Sequence, residues 1–354
     1  MPQVKEHLKD LYRTVPKQRR GYLRLDMNES VCGLPQGLIK KVFSKVDSDF
    51  VACYPEYEDL LRLIAKHNNL EPENICLSNG SDGAIKYIFD AYVRQDDKIL
   101  LTDPTFAMYP VYGKMFGART VMVPYLEDFS FPAEEFLKHI SEGVRIAVVV
   151  NPNNPTGSVV SRKVLLDIIN QAKNQDVLLV VDEAYFYYYP HTMIEEVKRF
   201  DNLIVLRTFS KLCGMAALRV GYAAACPEIA ENLRRVKPTY DINAAGVILC
   251  EEIMKKPAVI KQLIDKTNKG RLYLSRNLEK HGIEYRNGHA NFTLIKCGSK
   301  AVDIGNELAK EKILVGYDFG QDILKDYIRI TLGDRKAMCL FWEKFIRIWK
   351  GENN

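Results

Sequence analysis

With 354 residues the chain is long enough for two domains or one large α/β unit. Hydrophobic residues at 47% and charged residues at 27% exclude a mainly disordered or collagen-like state. The longest aliphatic runs, such as Ala147–Val150 and Val177–Val181, are strand-sized, far below the ~18 residues of a spanning helix, so no membrane is expected. The net charge of +5 is spread without a basic block, which argues against nucleic acid.

The N-terminal MPQVKEHLKDLYR is charged and has no apolar core, so no signal peptide is expected. Residues 1–30 read as an arm leading into Leu23–Met27. Helical periodicity follows at Leu34–Val46 and at Tyr57–Asn68, where Leu60, Leu61, Ile64 and Ala65 share a face. Ile75–Leu77 predicts a strand and Ala84–Val93 a helix. Strands at Lys98–Thr102, Thr120–Pro124, Ile146–Val150 and Val177–Val181 alternate with helices at Phe106–Phe116, Ala133–Ile140 and Arg162–Asn174. Further strands are expected at Leu203–Arg207 and Gly221–Ala225. This alternation predicts an α/β domain over 31–237, with a mostly parallel sheet covered by helices on both faces. After Pro238 the pattern turns to long amphipathic helices over about 244–279. Short strands at Ile283–Tyr285, Phe292–Ile295 and Tyr327–Thr331 and a last helix at Lys336–Trp349 follow, predicting a smaller α+β domain over 238–354. The eight cysteines include no C-x-x-C pair and the six histidines no metal-binding cluster; free thiols in a reducing cytoplasm are the expected state, with no metal.

Ligands of open α/β sheets bind at the carboxyl ends of the strands, and polar, Gly- and Pro-rich segments fall at those ends. They are Asn79–Gly83, Asp103–Phe106, Asn151–Gly157, Asp182–Tyr185 and Ser210–Lys211. Asn79-Gly-Ser-Asp-Gly83 offers backbone N–H groups to a phosphate, or is a turn with a Ser or Asp cap. Two prolines in Asn151–Gly157 fix φ and project Asn154 from a rigid loop. Asp182 after an apolar strand is a helix cap or a buried anion in need of a cation. Lys211, framed by apolar residues, has the setting of a desolvated amine nucleophile. Arg219 offers a donor fork to a phosphate or carboxylate.

The segments NPNNPTG, DEAY and TFSKLCGMAALRVGY, in this order, resemble the fold-type-I, pyridoxal-phosphate-dependent aminotransferases. LRLDMNES, Tyr54-Pro55-Glu56, PTFAMY and RITLG make the chain similar to the histidinol-phosphate aminotransferase branch, over nearly its whole length. The resemblance implies pyridoxal 5'-phosphate as cofactor. It makes Lys211 the amine that bonds the cofactor aldehyde and later shuttles the substrate Cα proton. Asp182 would pair with the ring nitrogen, Asn154 and Tyr185 would bond the ring 3-oxygen, and Phe106 would stack on the ring. Ser81, Asp82, Ser210 and Arg219 would cradle the cofactor phosphate, with Tyr54 reaching it from a neighbouring subunit of a homodimer. Arg329 would clamp the α-carboxylate of the amino donor.

The chain departs from that pattern where an arginine is expected and Gly316 stands, and where an N-terminal aromatic is expected and Lys17 stands, followed by Arg19 and Arg20. The lost arginine serves the substrate phosphate in the branch, so these cations are expected either to compensate or to be a solvated stretch. The implied activity is transfer of an amino group between glutamate, or a similar donor, and a small keto or aldehyde acceptor of the phosphorylated kind, in amino-acid biosynthesis. The alternatives are an O-phospho-amino-acid decarboxylase resembling the threonine-phosphate decarboxylases and a catalytically inactive binding module.

Overall fold

The aliphatic runs become the middle of a seven-stranded sheet. The computed structural model describes residues 2–9, 11, 18–141 and 143–352. Its strands are β1 (Leu23–Leu25), β2 (Ile75–Asn79), β3 (Lys98–Asp103), β4 (Arg119–Pro124), β5 (Val144–Val150), β6 (Leu178–Asp182), β7 (Leu203–Thr208), β8 (Val220–Ala225), β9 (Tyr285–Asn287), β10 (Phe292–Lys296), β11 (Ile313–Val315) and β12 (Tyr327–Thr331). The large sheet has the order β2-β8-β7-β6-β5-β3-β4. Strand β8 runs antiparallel to both its neighbours, and the other pairings are parallel. Alternate residues of the central strands feed two cores. Ala147, Val149, Leu179, Val181, Leu203 and Val205 face the core closed by helices 58–67 and 162–174. Ile146, Val148, Val180, Ile204 and Leu206 face the one closed by helices 80–92 and 227–236. Burial on both faces is why these strands read as unbroken apolar runs.

Three local differences from the sequence reading have plain causes. The helix expected at Ala84 starts at Gly80, so Ser81 and Asp82 lie in its first turn rather than in a loop. The helical stretch after residue 244 divides into Ala244–Met254 and Pro257–Lys280, because Pro257 can open a helix but not continue one. The helix Pro227–Val236, which the reading passed over, also opens on a proline and buries Ile229, Ala230 and Leu233.

The smaller part carries the antiparallel sheet β12-β10-β9 under helices 257–280 and 335–350. Strand β1 pairs in parallel with β11, and Leu25 is buried among Leu274, Ile328, Ile330 and Phe341. The end of the N-terminal arm is thus part of the smaller core. Helix 244–254, which the sequence reading assigned to the smaller domain, instead buries Val247, Leu249, Cys250 and Ile253 against the large-sheet core with Leu38, Val42 and Leu60.

Candidate active site

The carboxyl ends of β5, β6 and β7 converge on one depression. Asp182 closes β6 and is buried. Its carboxylate accepts from the Tyr109 hydroxyl at 2.9 Å and the Ala184 amide at 3.0 Å. No Lys, Arg or His lies within ion-pair distance among the described residues. Burial pushes its pKa up to about 6, against the pull of these two donors and of the Lys211 charge. Lys211 sits in the turn after β7. Its Nζ donates to the Met27 carbonyl at 3.2 Å and lies 5.8 Å from the centre of the Tyr185 ring. Desolvation, then the nearby Arg329 charge, pull its pKa down to about 8. The site therefore holds an easily deprotonated amine near a carboxylate that lacks a cation.

Beside them, helix 80–92 begins at Gly80, whose φ is +69°. The Arg219 guanidinium lies across this helix start, so a Cβ on Gly80 would come within 2.6 Å of its Nη2. Its Nη1 reaches Ser210 Oγ at 3.4 Å and the Ala216 carbonyl at 3.2 Å, with no carboxylate in ion-pair range among the described residues. Gly221 lets β8 approach closely: a Cβ there would stand 2.5 Å from the Ser81 backbone nitrogen. A helix N-terminus, a hydroxyl and an uncompensated guanidinium form a fit cradle for a phosphate. Pyridoxal phosphate fits this set: Arg219 would hold its phosphate, and its ring nitrogen would supply the cation that buried Asp182 lacks among the described residues.

Asn154 projects from the Asn151–Gly157 loop, and more than its prolines hold that loop. Asn151 Oδ1 accepts from the Val160 amide at 2.9 Å. Asn153 Nδ2 donates to Thr156 Oγ1 at 2.9 Å and to the Pro104 carbonyl at 3.2 Å, tying the loop to the turn before Phe106. Asn154 Oδ1 accepts from Arg329 Nη1 at 2.6 Å, while Arg329 Nη2 donates to the Asp26 carbonyl at 2.6 Å. Rings of Phe292 and Phe319 flank that guanidinium, each centred 5.3 Å from its Cζ. Tyr185 is buried, its ring packed edge-on to Phe292. Phe106 is half-buried and packs edge-on to Tyr109.

Four further residues of the sequence reading remain to be placed. Tyr54 is 71% exposed and stacks on Tyr240 with ring centres 4.0 Å apart, pointing out of this subunit. Lys17 lies outside the described residues. Arg19 is not a spare cation: it is paired with Asp26 and, at 3.0 Å, with Glu29, so its charge is already met and it cannot replace an arginine at position 316. Gly316 adjoins Arg329, with which it exchanges backbone hydrogen bonds of 2.7 and 3.0 Å. Sequence reasoning passed over two members. Tyr109 stands one helical turn after Phe106 in the quoted PTFAMY segment. Asn28 lies in LRLDMNES; its buried side chain donates to Tyr185 Oη at 2.9 Å.

The class I and II aminotransferase family model matches residues 25–343. The histidinol-phosphate aminotransferase of Caldanaerobacter subterraneus subsp. tengcongensis is 36% identical over 318 residues, 89% of each chain. In the fold, the crystal structure of histidinol-phosphate aminotransferase from Sinorhizobium meliloti in complex with pyridoxal-5'-phosphate superposes with a TM-score of 0.85 at 24% identity, covering 93% of this chain and 91% of that one. The L-threonine-O-3-phosphate decarboxylase from Porphyromonas gingivalis shares the fold at TM-score 0.77 and 20% identity, covering 93% and 99%. A fold shared by a transaminase and a decarboxylase does not choose between them, but the family match and the sequence identity do. The chain belongs to the class I and II aminotransferases, as a pyridoxal-phosphate-dependent enzyme of the histidinol-phosphate aminotransferase-like kind.

Proposed function

We propose that the enzyme moves an amino group between glutamate, or a similar donor, and a small phosphorylated keto or aldehyde acceptor, with histidinol phosphate, named for its relatives, as the first substrate to try. The observation that carries this reading is that Lys211, an amine of lowered pKa, feels the charges of both Asp182, which has no cation in ion-pair range among the described residues, and Arg329, which has no carboxylate in that range among them. Bound pyridoxal phosphate supplies the electron-withdrawing ring that makes the substrate Cα proton acidic. Lys211 Nζ takes that proton and returns it. Asp182 holds a proton on the ring nitrogen. Arg219, Ser210 and the helix start at Ser81 and Asp82 bind the phosphate, Phe106 covers the ring face, and Asn154 and Tyr185 donate to the ring oxygen. Arg329 exchanges the Asp26 carbonyl for the substrate carboxylate, its two nitrogens forming a fork.

Tyr54 serves the phosphate of a second copy in a homodimer; its ring stacks on Tyr240 in its own subunit yet stays largely exposed, with its hydroxyl left for that use. The eight free thiols suit a cytoplasmic setting. The test is a half-reaction. Adding L-glutamate to the holoprotein should bleach the visible band of the lysine-bound cofactor and yield 2-oxoglutarate in one equivalent. A band unmoved by glutamate, together with CO₂ release from O-phosphothreonine, would overturn transamination in favour of decarboxylation.

A further inference from the structure

Asn28 sits where three parts of the molecule meet. Its φ is +56°, a left-handed conformation that asparagine tolerates better than most residues. The side chain is buried. Its Nδ2 donates to Tyr185 Oη at 2.9 Å and makes a long contact of 3.5 Å to Asn154 Oδ1. Its backbone carbonyl accepts from Asn291 Nδ2 at 3.0 Å. Thr331 Oγ1 accepts from the Asn28 backbone amide at 3.0 Å and lies 3.2 Å from Asn28 Oδ1.

The direction of each bond follows in turn. The Thr331 oxygen already accepts the Asn28 backbone N–H, so its own proton goes to Asn28 Oδ1. That fixes the Asn28 amide with Nδ2 toward Tyr185. The Tyr185 oxygen then accepts from Asn28, and its proton has no acceptor among the described residues. Asn154 is set the same way: Arg329 Nη1 occupies its Oδ1 at 2.6 Å, and its Nδ2 has no partner among the described residues. Two donors are thereby left pointing out of one network, and each can serve a single anionic oxygen.

We propose that Asn28 is a positioning residue that sets the hydrogen-bond polarity of Tyr185, and with Arg329 that of Asn154, so that both present protons to the ring oxygen of the cofactor. This rests on the site reading above and adds to it a residue to which that reading gives no role. It also connects the donors to the smaller domain through Thr331 and Asn291. Donors on an oxyanion favour the state that carries more charge there, which is the state in which Lys211 nitrogen has lost its shared proton. Losing one directed donor therefore raises the pH at which the lysine-bound cofactor changes colour.

The test is a spectrophotometric pH titration of the holoprotein without substrate. Asn28→Ala should move the midpoint up by about one pH unit, the worth of one ordinary hydrogen bond. In a Tyr185→Phe background the same substitution should move it much less, because the donor it directs is gone. Thr331→Val, which keeps the side-chain shape and removes only the hydroxyl, should shift the midpoint in the same direction and guards against a misfolded alanine variant. An unmoved midpoint in both Asn28→Ala and Thr331→Val, or an equal shift with and without the Tyr185 hydroxyl, would overturn the proposal. A wild-type holoprotein with no titrating visible band would instead overturn the site reading on which the proposal stands.

Discussion

The two halves of the site are built by different means. The half on the large sheet takes Asp182, Lys211 and Arg219 from strand ends and the turns after them. Two of the three have neighbours close in sequence, Ala184 for Asp182 and Ser210 and Ala216 for Arg219, while Lys211 reaches to the Met27 carbonyl and Asp182 also accepts from Tyr109. The other half has no such local frame. Arg329 on β12 bonds the Asp26 carbonyl across 303 residues of sequence, and Asn28 bonds Thr331 across the same separation. In the proposed reaction the first half would carry the bond-making chemistry. The second would grip the substrate through contacts that exist only when the N-terminal segment, the smaller domain and the Asn154 loop come together.

Substitutions in the first half should therefore abolish chemistry. Lys211→Ala should remove turnover and the visible band while the protein stays folded, since the lysine makes a single hydrogen bond. A retained band would break the assignment. The pH dependence sharpens it. Capture of pyridoxal phosphate by the apoprotein needs the neutral amine, and an amine lowered to about 8 becomes neutral well before an ordinary lysine. The capture rate should climb with pH and level off above about 8; a rate still climbing at pH 10 would place the reactive amine elsewhere. Asp182→Asn comes next, with kcat down by at least about 100-fold and cofactor retained through Arg219 and Ser210. Activity within a few-fold of the parent would show that the buried carboxylate is a cap for Ala184 and no more.

In the second half, binding should suffer before chemistry does. Arg329→Lys replaces a two-pronged grip with a point charge and should raise KM for glutamate about 10- to 150-fold, the cost of about 1.5–3 kcal/mol for a charge-assisted bond. Equal loss in kcat at saturating glutamate would mean that Arg329 acts mainly by orienting Asn154.

The same contrast explains what the sequence disclosed. The doubly covered sheet was legible because Ile146–Val150 of β5 and Leu178–Val181 of β6 are unbroken apolar runs, and the strand-end rule then put Asp182, Asn154 and Lys211 forward as candidates without any long-range information. Asn28 was not legible as a hub: its left-handed backbone and its partners on β12 and in the Tyr185 segment leave no trace in local pattern. Arg19 misled for the same reason. Next to Arg20 it reads as a basic stretch, and only the fold brings Asp26 and Glu29 onto its guanidinium. Helix 244–254 packs on the other core because its sequence, apolar but for Glu251 and Glu252, says that it is buried, not against what.

The smallest effect is expected at Gly316. A Cβ there would stand 3.2 Å from Phe319 Cζ and 3.4 Å from Arg329 Cβ and Nε. An arginine side chain must therefore push the half-buried Phe319 ring by a few tenths of an ångström and run beside a like charge. The crowding should lower Tm by only about 2–4 °C, the usual shift for about 1 kcal/mol in a domain of this size. The gain is a second guanidinium on the substrate side, where Arg19 is already neutralised by Asp26 and Glu29. Repulsion from Arg329 subtracts from a charge-assisted bond, so kcat/KM for histidinol phosphate should rise about tenfold, at the low end for such a bond. The rise should shrink in high salt, as an exposed ion pair does, and should be absent for glutamate, which has no phosphate to meet the new charge. A Gly316→Arg enzyme that gains nothing on histidinol phosphate, beside an Arg329→Lys enzyme that loses its grip on glutamate, would confine substrate recognition in this half to the carboxylate. The distal anion would then have to be read by another surface.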